Sequence, residues 1–248
     1  MSKVKLAIFD MAGTTVQDER EVEKCFYDAI KATNLHISRE KINSMMGWSK
    51  ILVFETIWKE EIGEDHPDYS KRVQESYNYF TQTLEEHYET VGAKPYEGVL
   101  EVFDYCRSNN IKIALTTGFY RKVTNIILAK LGWDKGLNND YVCIENSNEN
   151  SINCSIASSD VEQGRPAPDM IQLAMKKCGI EDPKQVINLG DTPSDLQSAE
   201  AANVLYSIGS LYGTHSHEEL QSYKHDQFIS KPIEMIDIIK KLNEQEFK

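Results

Sequence analysis

The chain has 248 residues, 40% of them apolar and 27% charged, with 27 Lys and Arg against 39 Asp and Glu for a net charge of -12. This excludes a disordered or collagen-like chain, and at roughly 150 residues per domain it allows one large domain or a domain carrying an insertion. An acidic surface repels nucleic acid and anionic membranes, so an anionic ligand must be met by a local positive site, and the expected partner is a small molecule.

The first predicted element is a buried strand from Lys3 to Asp10, ending at a carboxylate followed by the loop residues Ala12, Gly13, Thr14 and Thr15. The segment before it lacks the long apolar region of a signal peptide, and no apolar run approaches the roughly 18 residues of a membrane span, so a soluble, cytoplasmic protein is expected. About a hundred residues separate this strand from the next, far more than one crossover helix needs, and their patterns are helical. One helix starts near Arg20 and buries Val22, Cys25, Phe26, Ala29 and Ile30. Another runs from Tyr69 through Val73, Tyr77, Phe80, Leu84 and Tyr88 to Val91 before Gly92 and Pro95 break it. With a second connection at Val16 to Glu19, this insertion is tethered at two points that can act as hinges.

Beyond it, a helix burying Val99, Val102, Phe103 and Cys106 leads to a strand at Ile111 to Thr116. Another helix carries Val123, Ile126, Ile127, Lys130 and Leu131, and further strands are predicted at Val186 to Gly190 and Val204 to Ile208. The polar stretch Glu145 to Asn153 reads as a surface loop, His215 and His217 as a polar loop and helix start, and Lys231, Pro232 and Ile233 as the approach to a last amphipathic helix. Cysteines 25, 106, 143, 154 and 178 are odd in number and form no Cys-x-x-Cys pair, so they read as small buried hydrophobes in a reducing compartment. Strand alternating with helix predicts an α/β fold with a doubly wound, Rossmann-like parallel sheet and an inserted all-helical unit. The expected division is residues 1–16 with 93–248 as the core and residues 17–92 as the insertion.

In an open parallel sheet, ligands bind at the carboxyl ends of the strands. There this sequence places Asp10, the run Thr116, Thr117, Gly118, and the run from Gly190 through Asp191 and Thr192 to Asp195, while Gly164, Arg165 and Pro166 lie in the loop before a helix. Singly, these residues read as turns, helix caps or surface ion-pair partners. As a set, carboxylates, hydroxyls with backbone N–H groups at helix starts and one cation are what magnesium and a phosphoryl group need.

The ordered set Asp-x-x-Gly-Thr, hydroxyls after the next strand, Gly-Arg-Pro-x-Pro-Asp, then Gly-Asp-x-x-x-Asp resembles the haloacid dehalogenase superfamily of phosphohydrolases from Lys3 to the C-terminal helix. The resemblance implies Asp10 as a nucleophile that forms an aspartyl-phosphate. It implies phosphate binding by Thr14, Thr116, Thr117 and Gly118, with Arg165 as the balancing cation. It implies Mg2+ held by Asp10, the backbone carbonyl of Ala12 and Asp191, with Asp195 beside it. The expected substrate is a small phosphorylated or phosphonate compound, with no nucleic-acid or membrane partner, and a homodimer is compatible with the sequence.

Most phosphatases of the superfamily carry Asp two residues after the nucleophile as acid to the leaving group; here that residue is Ala12. Asp-x-Ala-Gly-Thr-Thr resembles the phosphonatase branch, the phosphonoacetaldehyde hydrolases, where the leaving group is carbon and a lysine of the helical cap forms a Schiff base. Met46, Gly47, Trp48, Ser49 and Lys50 match that branch's Met-Gly-x-x-Lys, which makes Lys50 the expected amine and a contact to substrate, with Met45, Met46, Trp48 and Arg165 to lower its pKa. Two positions depart from the branch: Val53 stands where it has a histidine, and its early cap cysteine, near Arg20 here, is missing. A phosphate monoester phosphatase of the phosphoglycolate or sugar phosphate kind is the alternative, and a catalytically weak binding or regulatory protein of the same fold the remote one.

Overall fold

The computed structural model describes residues 3–144 and 152–244. Six parallel strands form one sheet among the described residues: β1 (Leu6–Asp10), β2 (Lys112–Thr117), β3 (Cys154–Ala157), β4 (Val186–Gly190), β5 (Tyr206–Ser210) and β6 (Gln227–Ile229). Their spatial order is β3-β2-β1-β4-β5-β6, so the direction in which successive strands are added to the sheet reverses between β1 and β4. At that switch point the loops leaving the two strands part and open a crevice at their carboxyl ends. All five residues of β1 and of β4 are buried, which is why both read as continuous apolar runs: helices cover the sheet on both faces. The register sets Asp10 opposite Thr116 and Phe9 opposite Leu189, bringing the ends of β1, β2 and β4 to one level.

Among the described residues, four of the five α-helices between β1 and β2 make up the insertion: α1 (Glu21–Ala32), α2 (Arg39–Ser44), α3 (Lys50–Ile62) and α4 (Tyr69–Thr90). Both α1 and α3 pack on α4. Phe26, Phe54 and Phe80 form their centre, with ring centroids 4.4 to 5.8 Å apart, and the buried Trp58 Nε1 donates to Ser76 Oγ at 2.9 Å. The two connections to the sheet pair with each other. Gln17 N donates to Lys94 O at 2.9 Å and Tyr96 N to Thr15 O at 3.1 Å, with Val16 bridged antiparallel to Pro95.

The remaining helices are α5 (Val99–Ser108), α6 (Arg121–Leu131), α7 (Asp169–Cys178), α8 (Pro193–Ala201), α9 (His217–Leu220) and α10 (Met235–Glu244). Helix α1 buries the five residues its spacing predicts, and α5 the four. In α6 the buried stripe runs through Val123, Thr124, Ile127 and Leu128, leaving Lys130 exposed. Strands β3 and β6 were not singled out by pattern, being only four and three residues long, and β5 begins two residues later than its apolar run. Residues 145–151 of the polar Glu145 to Asn153 stretch lie outside the described residues. Cys25, Cys106, Cys154 and Cys178 are buried and form no disulfide. No helix among the described residues is long and apolar enough to cross a membrane.

Candidate active site

The turn after β1 is built so that other groups can approach it. The N–H groups of Thr14, Thr15 and Val16 converge on Met11 O at 2.7 to 3.1 Å, and Gly13 has φ +90. A Cβ on Gly13 would lie 2.3 Å from Asp191 Oδ2, so this position requires glycine for space as well as for conformation. Thr14 Oγ1 donates to Asp191 Oδ1 at 3.0 Å, while Thr214 donates to Asp191 Oδ2 through both N and Oγ1 at 2.7 Å. Thr192 begins α8 in a reciprocal cap with Asp195. Thr192 N and Oγ1 donate to Asp195 Oδ2 at 3.1 and 2.6 Å, which turns the other oxygen of Asp195 toward Arg165.

Arg165 joins these parts. Its Nη1 donates to Asp10 Oδ1 at 2.5 Å and lies 2.7 Å from Asp195 Oδ1, while Nη2 donates to Thr116 Oγ1 at 2.6 Å. One buried guanidinium therefore faces three buried carboxylates whose oxygens lie within 4.8 Å of one another. Burial and then Asp195 and Asp191 raise the pKa of Asp10, against the attraction of Arg165. Burial and then Asp195 also raise that of Asp191, opposed by the Thr214 hydrogen bonds. Burial works against the charge on Arg165, but Asp195 and Asp10 outweigh it. An excess of buried negative charge, presented as hard oxygen donors, fits a divalent cation at this point. The second carboxylate oxygen of Asp10 has no hydrogen bond among the described residues.

The helical insertion closes over this cluster. The segment from Met45 to Ser49 rests on the turn after β2, where a Cβ on Gly118 would lie 2.5 Å from Gly47 O and 2.6 Å from Trp48 O. Gly47 itself has φ +86 and sits against Thr192 and Ser194. Thr117 Oγ1 accepts from Phe119 N at 3.1 Å and holds that turn. Lys50, the first residue of α3, is only 4% exposed, and its Nζ lies 5.6 Å from the ring centroid of Phe26 and 5.3 Å from that of Phe119. Its amine has no hydrogen bond or ion pair among the described residues. Desolvation, aided by Arg165 and opposed by Asp10, Asp18 and Asp191, lowers its pKa to about 8. A cavity of about 20 Å³, room for roughly one water, is lined by Asp10, Ala12, Asp18, Lys50, Phe119 and Thr214. A crevice of about 300 Å³ past Asp18, Arg20, Asn43 and Met46 adjoins it.

Every residue singled out from the sequence thus lies in or beside one cluster. Several neighbours were not foreseen. Thr214 follows β5 and Phe119 follows Gly118 with no motif to mark either, and Phe26 reads only as core. Asp18 reads as part of a connection. His215, expected in a polar loop, is buried, with Nδ1 3.0 Å from Thr214 Oγ1 and Nε2 3.2 Å from Asn43 O, so it ties the Thr214 loop to α2.

The sequence model of the haloacid dehalogenase-like hydrolases matches residues 4–203. The chain belongs to the haloacid dehalogenase-like hydrolase family. This hydrolase is 29% identical over 215 residues to the phosphonoacetaldehyde hydrolase of Latilactobacillus sakei, covering 83% of this chain and 75% of that one. To the phosphonoacetaldehyde hydrolase of Bacteroides fragilis it is 28% identical over 226 residues, covering 86% and 78%. Its fold is similar to that of the phosphonoacetaldehyde hydrolase like protein from Oleispira antarctica, with TM-score 0.73 at 17% identity over 97% of this chain and 93% of the other. The expected α/β fold and phosphohydrolase class, on the phosphonatase-like side of the superfamily, are borne out by these likenesses.

Proposed function

We propose that this hydrolase cleaves the carbon to phosphorus bond of a small phosphonate aldehyde of the phosphonoacetaldehyde kind, with Lys50 as the Schiff-base amine and Asp10 as the nucleophile. The observation that carries this reading is the buried, unpaired amine of Lys50, with a pKa of about 8, lining the same cavity as the carboxylate of Asp10. Residues 17–92 act as a helical cap over a catalytic core of residues 1–16 and 93–248.

Within that frame each side chain has a task. The neutral amine of Lys50 condenses with the aldehyde, so that the electron pair of the breaking carbon to phosphorus bond is received as an enamine and not as a bare carbanion. The free carboxylate oxygen of Asp10 attacks phosphorus, and water later hydrolyses the aspartyl-phosphate. Arg165 restrains Asp10 and faces the phosphoryl oxygens together with Thr116, while the turn at Thr117 and Gly118 offers backbone N–H groups. Thr14 serves the site through its bond to Asp191. Magnesium would be held by Asp10, Asp191 and the carbonyl of Ala12, with Asp195 alongside, and when bound it supplies charge neutralisation at the phosphoryl group. Ala12 can neither give nor take a proton, which suits a leaving group that departs as an enamine and handicaps an alkoxide by a factor of about 10² to 10⁴.

Phosphate release from phosphonoacetaldehyde, with borohydride trapping of an adduct on Lys50, tests the reading. Release from phosphoglycolate or sugar phosphates with no adduct on Lys50 would replace it with a monoester phosphatase.

A further inference from the structure

Asp18 stands on the first connection between sheet and insertion, next to Gln17, whose N–H to Lys94 O and side-chain bond to Pro95 O fix the backbone there. It lines the same cavity as Lys50 and Asp10. Its Oδ1 is buried without a hydrogen-bond partner among the described residues, and so is Oε2 of Glu21 in the first turn of α1. A proton on Asp18 relieves this condition, because a protonated carboxyl donates where a carboxylate can only accept. Burial, then the neighbouring carboxyl of Glu21, push Asp18 up to about 7, against the backbone N–H groups of Val22 and Glu21.

The titratable groups facing Asp18 are Glu21 and Cys25 from α1, Lys50 from α3, His87 and Tyr88 from α4, and Tyr96 from the second connection. Burial pushes Cys25 up to about 12 and holds Tyr88 well above its ordinary value, so neither exchanges a proton near neutrality. His87 Nε2 lies 3.7 Å from Glu21 Oε1 and is not among the residues that line the cavity of Lys50. Three residues beyond Lys50 on its own helix stands the buried Val53, which offers no acid.

We propose that Asp18, beside Glu21, is the acid–base residue for imine formation at Lys50; this rests on the Schiff-base reading above. The Lys50 nitrogen adds to the aldehyde carbon, the carbonyl electron pair moves to oxygen, and the proton shed by nitrogen passes through Asp18 to that oxygen. The Asp18 carboxyl then protonates the resulting hydroxyl, the carbon to oxygen bond breaks, water leaves, and the nitrogen lone pair closes the iminium. Asp18 is left as a carboxylate and recovers its proton when water hydrolyses the imine.

The test is the rate at which borohydride quenching traps phosphonoacetaldehyde on Lys50 in the full-length protein, followed against pH. Asp18→Asn is expected to slow trapping about 10²-fold at pH 7. Removing a carboxylate that acts only through its charge would have the opposite sign, since Asp18 raises the pKa of Lys50 and its loss would leave more amine neutral. An unchanged or faster rate in Asp18→Asn therefore overturns the proposal. Glu21→Gln, which leaves Asp18 in place and serves equally if Asp18→Asn does not fold, is expected to move the alkaline limb of the trapping profile from near 7 to lower pH by about one unit, because the repulsion that raises Asp18 is gone. A limb that stays where it was overturns the proposal. Absence of any adduct in the wild-type protein overturns the Schiff-base reading and this proposal with it, whereas an adduct formed at equal rates in wild type and both variants overturns this proposal alone.

Discussion

Arg165 donates to Asp10 across 2.5 Å in a place where neither side chain meets bulk solvent. Arg165 is also the cation beside Asp195, so it partly neutralises two of three crowded carboxylates. Arg165→Met leaves those carboxylates without a protein counter-charge and is expected to cost roughly 3–5 kcal/mol in metal-free buffer. Urea unfolding with and without a divalent cation measures this, and part of the loss should return with the cation.

Asp10→Asn keeps a hydrogen-bond acceptor for Arg165 and removes one of three mutually repelling charges. It should abolish turnover with little change in melting temperature, since an amide cannot form the acyl phosphate. Residual activity within tenfold of wild type would remove Asp10 from the nucleophile's role.

Asp191 is held by Thr14 on one oxygen and Thr214 on the other, so its position is set before any ion arrives. Magnesium is expected to raise the melting temperature of the wild-type protein by selective binding to the folded state. Asp191→Ala should weaken that shift greatly, and a shift of unchanged size at the same magnesium concentration would separate Asp191 from the metal.

Lys50 carries a stability cost that depends on pH. Its folded-state pKa of about 8 lies below the ordinary 10.5 of an exposed lysine, so the unfolded chain binds more protons between those values and stability rises with pH across that window. Below pH 8 the cost is about 3 kcal/mol. Lys50→Met should therefore stabilise the protein at pH 7, flatten the dependence between pH 8 and 10.5, and lose activity on phosphonoacetaldehyde. Thermal melts at pH 7 and 10 check the sign.

The contact of Gly118 with the carbonyls of Gly47 and Trp48 leaves no space for a methyl group. Gly118→Ala should lift the segment bearing Lys50 from the turn after β2, and a displacement of about 1 Å between reacting groups can cost 10² in rate. The variant should fold, since neither helix packing nor the sheet is touched, and steady-state kinetics should show a lower kcat/KM with a nearly normal melting temperature.

Much of this protein was legible in its sequence because the relevant signals are local. A strand buried on both faces must be apolar along its length, as Leu6 to Phe9 are, and Asp10 follows such a run at the carboxyl end of the strand, where ligands bind in an open parallel sheet. Helix α1 announces its buried face by spacing alone, and Arg165, Asp191 and Asp195 stand in short motifs whose glycines and prolines mark the turns around them. What required the tertiary structure is whatever depends on two distant segments meeting. Lysine is ordinarily exposed, and nothing in the residues around Lys50 states that Phe119, from the turn after β2, will cover its amine. Thr214 becomes a partner of Asp191 only because β5 lies beside β4. Asp18 and Glu21 are three residues apart in a polar stretch that resembles a solvated helix start, and only the packing of the folded protein around Asp18 removes the water that would otherwise leave its carboxyl ordinary. Desolvation is a property of the assembled packing, and no single segment carries it.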